Sequence, residues 1–466
     1  MSTTQGVAAG SSSSPLTGSV RDVASRIERL PSTRWQVKVR MLIGTATFFD
    51  AFDALTIAQV LTVLVAQWGI NSFQTSWLIS IGYVGQLIGA IFLSRIAERI
   101  GRVPTIVAAI ILYAAMSIAC MFAWGFWSLL VFRGIQGLGL GAQVPIAATY
   151  ISELTKAHGR GRFVLLYELI FSVGVVAAGV AGFFIVPNLG WRFMFALGVL
   201  PILLVYFIHR FVPESPRWLA SIGRAKDADT SMEHVEQEVS KASGQPLPKP
   251  APVAGVEEPS KTHFAWQDLF RGGYARRTII VWVMWFAGYI VYYGIGTWMP
   301  TLYKTVFHFS VVKALGYGLI GNCLALLGAT LCALTIDTIG RRWWFTISLG
   351  GAGVFLAILA ISGAHTATVV LVFGGIAYLF AGATSIGLYL YTPELYPTRA
   401  RAVGVGTATA WLRLASILGP LIIGALVGSS LASIFWIFAA VSLAGAIFVA
   451  IFAMETKNQV LETLSP

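Results

Sequence analysis

Long apolar runs recur along the whole chain, and each is close to the ~20 residues that a helix needs to cross a bilayer. Short polar segments separate most of these runs, and one long polar stretch follows the sixth. This pattern predicts an all-α integral membrane protein with twelve transmembrane helices in two pseudo-symmetric six-helix bundles. The predicted spans, numbered 1 to 12, are residues 41–66, 75–97, 103–123, 126–152, 163–186, 190–211, 278–303, 312–336, 343–362, 366–391, 401–426 and 430–453.

The polar stretches divide the chain into five segments. The central loop begins with PESPRWLASIGRAKDADTSMEHVEQEVSKASG and continues with a proline-rich run. Its first part predicts short amphipathic helices at the membrane surface, and the proline-rich run predicts a linker. The predicted segments are an N-terminal tail at 1–40, a first bundle at 41–211, the central loop at 212–277, a second bundle at 278–453 and a C-terminal tail at 454–466.

Composition and charge agree with a membrane protein. The 466 residues are 56% hydrophobic and only 11% charged, and the formal net charge is +12. The basic residues follow the loops on one side of the predicted spans instead of forming a single patch, so the charge does not indicate nucleic-acid binding. By the positive-inside rule, both termini and the central loop are expected in the cytoplasm.

Two motifs recur in equivalent places of the two halves. AERIGRV follows predicted span 2 and IDTIGRR follows predicted span 8, while TYISELTKAHGRGR ends span 4 and YTPELYPTRARAVG ends span 10. Repeated halves with a site between them are typical of secondary transporters. The chain shows no nucleophile and base arrangement that would indicate an enzyme, and no set of metal ligands.

These motifs resemble those of the major facilitator superfamily over essentially the full chain. The family's loop 2–3 motif, G-x-x-x-D-R-x-G-R-R, is present with Ser94, Glu98 and Val103 in place of its first Gly, its Asp and its last basic residue. PESPRWL, PELYPTRAR and METK resemble the branch that contains sugar porters, organic-ion carriers and aromatic-acid symporters. The resemblance implies a monomeric transporter that works by alternating access without a cofactor.

Charged residues at the membrane surface are candidates for a gate. They are expected to form a cytoplasmic latch that holds the halves together when the cavity faces outward, although ordinary solvated charge is an alternative. Exposed ion pairs contribute only about 0–1 kcal/mol each, which suits a latch that must open. The candidate gating residues are Glu98, Arg99, Arg102, Glu153, Arg162, Glu214, Arg217, Asp337, Arg341, Glu394 and Arg401.

Two acids in predicted span 1 are candidates for proton coupling. Carboxylates at bilayer depth cost about 2.5–3.5 kcal/mol each, so they normally pair or line a wet cavity. At ~1.5 Å per residue, Asp53 and Arg133 both fall in the outer half of the membrane and could meet. We expect Asp53 to be ionised when Arg133 is close and to take up a proton when Arg133 moves away. Asp50 is either a second protonation site or a neighbour of Arg413 on the substrate side. In the sugar-porter branch, the matching Asp and Arg have this role; a static ion pair is the alternative.

A third group of residues is predicted to bind the substrate: Arg413, Glu168, Trp285, Tyr289 and Tyr293. Arg413 lies near the middle of predicted span 11, where its planar guanidinium can bind a carboxylate through two hydrogen bonds. The alternative is a structural pair of Arg413 with Glu168 or Asp50. In span 7, Trp285, Tyr289 and Tyr293 recur at i, i+4 and i+8 and therefore share one face, which either lines a cavity or packs against neighbouring helices.

The same positions argue against a sugar. By comparison with sugar porters, their amide ligands are replaced here by Ala287, Gly288, Tyr293 and Glu168. The Asp-x-aromatic-Asp of span 1, the sequence RGIQGLGLGAQVPIAATYISE and Arg413 resemble aromatic-acid/proton symporters and bacterial nicotinate carriers. The resemblance implies proton-coupled import of a small organic anion, a monocarboxylate or aromatic carboxylate, across a bacterial inner membrane.

Three alternatives remain open at this point. An organic-cation carrier would use Glu168 and Asp50 as its cation site and aromatic rings for cation–π contact, with Arg413 in a structural role. A sugar or polyol porter is the second. A transporter-like sensor that signals through the central loop is the third.

Overall fold

The computed structural model describes residues 19–31, 33–154, 160–250, 266–396 and 398–457. Within this part of the chain, twelve helical spans are long and apolar enough to cross a membrane, as the sequence predicted. Spans 1 to 6 are Arg34–Trp68, Ser72–Ile100, Arg102–Met121, Phe126–Glu153, Arg160–Asn188 and the helix pair Arg192–Leu197 with Ile202–Phe211. Spans 7 to 12 are Tyr274–Thr305, Val311–Ile339, Arg341–Ile361, Ala367–Glu394, Thr398–Leu426 and Leu431–Phe452.

The helices extend beyond the apolar runs that predicted them. Span 1 begins at Arg34 instead of residue 41, where Thr33 and Gln36 form a capping box. The apolar run corresponds only to the part of the helix that would lie in the hydrocarbon core, whereas the capping residues mark the first turn of the helix. Because twelve is an even number, the start of span 1 and the end of span 12 lie on one face of the bundle, called here the terminal face.

The internal repeat is present in the backbone. Gly101 separates spans 2 and 3 with a φ of 115°, and Gly340 separates spans 8 and 9 with a φ of 95°. This region of φ is accessible to glycine because it has no Cβ. The two Gly-Arg steps found in the sequence therefore make the same sharp connection in each half.

The segment before span 1 contains a helix that the sequence pattern did not indicate. Val20–Glu28, called here the N-terminal helix, packs against the central helices Pro216–Ser221 and Ala225–Ser243. Val23, Ile27 and Met232 are fully buried in the cluster that joins them. The short helices predicted in the central loop are thus present, and the preceding tail segment covers them.

Small residues bring spans 2 and 4 close together. A Cβ on Gly85 would meet the carbonyl oxygen of Gly134, and a Cβ on Gly141 would meet that of Gln86. Close approach of this kind is the usual role of glycine stripes in membrane helices, and it requires no ligand.

The two bundles meet mainly through spans 2 and 11 and through spans 5 and 8, with a further contact between spans 1 and 7. Ser80 Oγ of span 2 donates a hydrogen bond to the Ile417 carbonyl oxygen of span 11, 2.9 Å away. Residues 50–62 of span 1 and 287–303 of span 7 are buried without interruption. Asp50 and Asp53 therefore lie in a protein interior and not against lipid.

Candidate functional site

Asp53 and Arg133 meet inside the first bundle. Arg133 Nη1 lies 3.4 Å from Asp53 Oδ2, and the two side chains are 3% and 1% exposed. Spans 1 and 4 position them, and Gly82 of span 2 leaves room for the guanidinium, which would contact a Cβ there. The contact expected from their similar depth is confirmed, while the proton-coupling role of the pair stays a prediction.

Gln136 completes this cluster, and sequence reasoning missed it. Its Nε2 donates to Asp53 Oδ1 at 3.0 Å and to Ser117 Oγ at 2.7 Å, while its Oε1 accepts from Arg133 Nη1 at 2.9 Å. Gln136 follows Arg133 by three residues, so both lie on one helix face. That spacing was the available signal. Both Asp53 oxygens therefore have partners within one bundle.

Asp50 lies one turn before Asp53 and has a different environment. Its side chain is buried, and Oδ1 has no hydrogen-bond partner in the described part of the chain. Arg413, Asp53 and Glu168 are each close enough to interact with it electrostatically. Asp50 thus connects the Asp53 cluster to a second group of charges at the interface between the bundles.

Arg413 lies at this interface and reaches across it. The guanidinium, on span 11 of the second bundle, donates a hydrogen bond to Gln86 Oε1 on span 2 of the first. Gln86 is a second residue that the sequence reasoning did not identify. A neutral amide supplies no charge. Arg413 interacts electrostatically with Asp50 but forms no ion pair among the described residues.

Glu168 of span 5 is the third buried acid of this region. It is 8% exposed, and its carboxylate makes no hydrogen bond to any residue that the structure describes. Its electrostatic neighbours are Asp50, Tyr289 and Tyr389. A buried acid without a donor partner is costly and is commonly a functional group.

The aromatic residues of span 7 form a continuous stack. Trp285 and Tyr289 are stacked with ring centroids 5.4 Å apart, and Tyr289 and Tyr293 at 5.8 Å. The Trp285 indole N–H donates to Thr392 Oγ1 at 2.8 Å, and the Tyr289 hydroxyl donates to the Ser385 carbonyl oxygen at 3.1 Å. The predicted shared face is confirmed, and span 10 holds its rings in position.

Two further rings extend the stack at its ends. Tyr83 of span 2 lies against Tyr293, with centroids 4.9 Å apart, and Tyr389 of span 10 lies against Trp285 at 4.8 Å. Tyr389 interacts electrostatically with both Glu168 and Arg413. The rings, the acid and the arginine therefore border one region between the bundles. In the described part of the chain, no group of three or more His, Cys, Asp or Glu residues lies close enough to hold a metal ion.

The charged residues of the terminal face form one cluster in each bundle. In the first bundle, Arg102 Nη2 lies 3.1 Å from Glu153 Oε1, and Glu214 accepts hydrogen bonds from the backbone N–H groups of Arg102 and Val103. Burial raises the pKa of the Glu214 carboxyl, although these backbone donors oppose that shift.

The second bundle repeats this arrangement. Arg341 lies 3.0 Å from Glu394 and 2.7 Å from Asp337, and Glu455 accepts hydrogen bonds from the backbone N–H groups of Arg341 and Arg342. These ion pairs join elements of the same half, so in this conformation they stabilise each bundle. A latch between the halves stays a prediction.

The other candidate gating residues are less constrained. Glu98 and Arg99 are exposed, and the Glu98 carbonyl oxygen accepts from the Trp218 indole N–H at 3.0 Å. Arg217 lies 4.0 Å from Glu28 of the N-terminal helix. The side chains of Arg162 and Arg401 lie outside the described part of the structure.

Comparison with known proteins gives one consistent result. Residues 32–466 match the family model described as "Sugar (and other) transporter". The chain is 34% identical over 451 residues to the niacin transporter NiaP of Acinetobacter baylyi, a match that covers 95% of this chain and 99% of that relative. It is 26% identical to a synaptic vesicle 2-related protein of Xenopus laevis, covering 95% and 82% respectively.

The fold comparison agrees with the sequence comparison. The partially occluded, inward-open xylose transporter XylE of E. coli superimposes with a TM-score of 0.70, covering 91% of this chain and 99% of that chain. Its sequence is 20% identical. At this identity, the likeness supports the fold alone.

Proposed function

This chain belongs to the sugar (and other) transporter family of the major facilitator superfamily, and on that premise we propose that it is a proton-coupled symporter of niacin or a closely related aromatic monocarboxylate. It is a multi-pass membrane protein and a secondary transporter, not an enzyme. We further propose that it resides in a bacterial inner membrane with both termini in the cytoplasm, and that it works as a monomer. The basic loops of the terminal face support this orientation.

The observation that carries the substrate assignment is the position of Arg413. Its guanidinium lies at the interface of the two bundles, where alternating access requires a substrate site, and it pairs with a neutral amide. A carboxylate placed there would gain charge-assisted hydrogen bonds from a planar donor group. The rings of Tyr83, Tyr289 and Tyr293 supply an aromatic wall beside it.

Asp53 is proposed as the residue that carries the coupled proton. One of its carboxylate oxygens contacts a permanently charged cation, Arg133, and the other accepts a hydrogen bond from a neutral donor, Gln136. Movement of Arg133 away from Asp53 would leave a buried carboxylate without a counter-charge, and protonation is the less costly outcome. Asp50, one turn away, connects this event to the substrate side.

A gating role is proposed for the charged clusters of the terminal face. Each bundle holds its own Gly-Arg turn against a carboxylate, Glu214 in the first and Glu455 in the second. Such clusters keep the ends of the spans rigid while the bundles move as bodies. Arg102 and Arg341, which join the turns to Glu153 and Glu394, are the central residues of this role.

The proposed function is tested by ligand-dependent thermal unfolding of the purified full chain. We expect niacin to stabilise the protein, by ~2.7 kcal/mol at a concentration of about 100 times its Kd. Nicotinamide, which replaces the carboxylate with a neutral amide, is expected to stabilise it less. The Arg413→Gln variant is the control and should lose the response to niacin. Stabilisation by xylose or by a quaternary ammonium compound, with no response to niacin, would contradict the proposal.

A further inference from the structure

Glu168 is a buried acid that takes no part in the proposed proton site at Asp53 or in carboxylate binding at Arg413. Its side chain is more than nine-tenths buried, and the described residues provide its carboxylate with no hydrogen-bond donor. Burial of a polar group without a partner is unfavourable unless a ligand supplies the partner. The substrate is therefore the candidate hydrogen-bond partner of Glu168.

Glu168 lies beside the aromatic stack. Tyr289 and Tyr389 are its electrostatic neighbours, and Tyr389 also interacts with Arg413. Tyr293 continues the stack and interacts with Arg413 as well. The same group of aromatic rings therefore lies close to both Glu168 and Arg413.

The neighbouring charges determine whether the Glu168 carboxyl group is ionised or neutral when a ligand binds. Asp50 and Glu168 interact with each other, and Arg413 is the cation that faces Asp50. Once a substrate carboxylate occupies Arg413, a second ionised acid at Glu168 would be a buried charge without a counter-charge. A neutral carboxyl group avoids this cost. It presents one O–H donor, which suits a neutral acceptor better than a cationic amine.

We propose that Glu168 is a specificity-determining residue that recognises the ring nitrogen of a pyridine monocarboxylate. The Glu168 carboxyl O–H donates a hydrogen bond to that nitrogen, while Arg413 binds the carboxylate and the tyrosine rings flank the ligand. The inference rests on the proposed function and deepens it, because it states why a pyridine ring is preferred to a benzene ring. Benzoate, which has a C–H group in place of the nitrogen, leaves Glu168 unpaired.

Equilibrium binding of niacin and benzoate to the purified full chain tests the inference. The wild type is expected to prefer niacin roughly 10- to 100-fold, since a buried donor without its acceptor is penalised by about that factor. Glu168→Gln should keep most of the preference because its amide N–H also donates. Glu168→Leu should bring the two affinities within about threefold while still binding benzoate, which shows that the variant is folded. Val173→Ala, on the exposed face of the same span, is the control and should keep the wild-type ratio.

Two results would overturn the inference: a Glu168→Leu variant that keeps the wild-type preference, or a Glu168→Gln variant that loses it as completely as Glu168→Leu. If Glu168→Leu does not fold, the wild-type ratio decides, because equal affinities for niacin and benzoate also contradict the proposal. In that case the proposed function survives, since both ligands are aromatic monocarboxylates. Binding of neither acid to the wild type would overturn the proposed function and this inference together.

Discussion

Two clusters of buried charge lie one helical turn apart, and they differ in how completely they are satisfied. The Asp53 cluster is contained in the first bundle, and both carboxylate oxygens have partners in Arg133 and Gln136. The Arg413 cluster crosses between the bundles, and it includes Asp50 Oδ1 and Glu168 without hydrogen-bond partners among the described residues. Proteins rarely leave buried polar groups unpaired, so the second cluster is the one suited to an external ligand.

The difference indicates a division of labour. A cluster inside one bundle is not divided when the bundles rotate, so a local movement of Arg133 within that bundle can load and unload the proton. A cluster divided between bundles changes its geometry with each transport step, and it suits a substrate site. Asp50 precedes Asp53 by one helical turn and interacts electrostatically with Arg413, so it links the two clusters.

The largest expected effect comes from removing the cation of the unsatisfied cluster. Arg413→Gln should weaken niacin binding roughly 30-fold or more, because truncating one partner of a buried charge pair costs about 2–5 kcal/mol. Equilibrium binding of labelled niacin measures this. Arg192→Gln, the same substitution at an exposed arginine, should bind normally. If the two variants bind equally well, Arg413 is not the carboxylate site.

The free energy of unfolding should depend on Gln136, which belongs to the Asp53 cluster. Gln136→Leu leaves Asp53, Arg133 and Ser117 each short of a partner, and we expect a loss of ~1–3 kcal/mol in the free energy of unfolding. Gln143→Leu is a matched control on the same span. The Gln143 amide is buried with neither atom paired in the described chain, so this replacement should be neutral or stabilising. Chemical unfolding in detergent compares the two, and equal losses would argue against a special role of Gln136.

Coupling should depend on Asp53 more than on Asp50. With one proton per anion, accumulation of niacin rises about tenfold for each unit of pH gradient. Asp53→Asn should reduce this accumulation ratio to about 1, while Asp50→Asn should still accumulate niacin in response to the gradient. Uptake into proteoliposomes at several imposed gradients measures both. Normal accumulation by Asp53→Asn would show that the coupling residue lies elsewhere.

The smallest effect is expected outside the membrane, where the N-terminal helix docks. Burial alone would raise the pKa of Glu236, but hydrogen bonds from Arg26 and Arg29 outweigh it and lower the pKa. Docking is therefore expected to hold at and above the ordinary Glu pKa of about 4.3 and to weaken as the pH falls through the lowered value.

Hydrogen exchange of residues 20–28, corrected for its intrinsic pH dependence, measures this docking. Glu236→Gln should lack the acid transition and show weaker protection at neutral pH. Equal protection of the wild type at pH 3 and pH 7 would show that apolar contacts of Val23 and Ile27 are sufficient.

The sequence predicted most of the fold because twelve apolar runs and an internal repeat admit few other arrangements. It also predicted the contact of Asp53 with Arg133, since the depth of a charge in a helix follows from simple counting. It did not predict Gln86, because a single glutamine on a membrane helix has no pattern that separates a ligand from a packed residue. Gln136 was missed although its i+3 spacing from Arg133 places both side chains on one helix face. The N-terminal helix was missed because its apolar face is buried only by the central helices, about 200 residues away along the chain.

Exchange of niacin across proteoliposome membranes in the absence of a pH gradient separates substrate binding at Arg413 from proton binding at Asp53. Exchange requires the substrate site and the movement of the bundles, but no net proton transfer. We expect the Asp53→Asn variant to exchange niacin at close to the wild-type rate, and the Arg413→Gln variant not to exchange it. The opposite result, loss of exchange in Asp53→Asn with normal exchange in Arg413→Gln, would contradict the assignment of the two clusters.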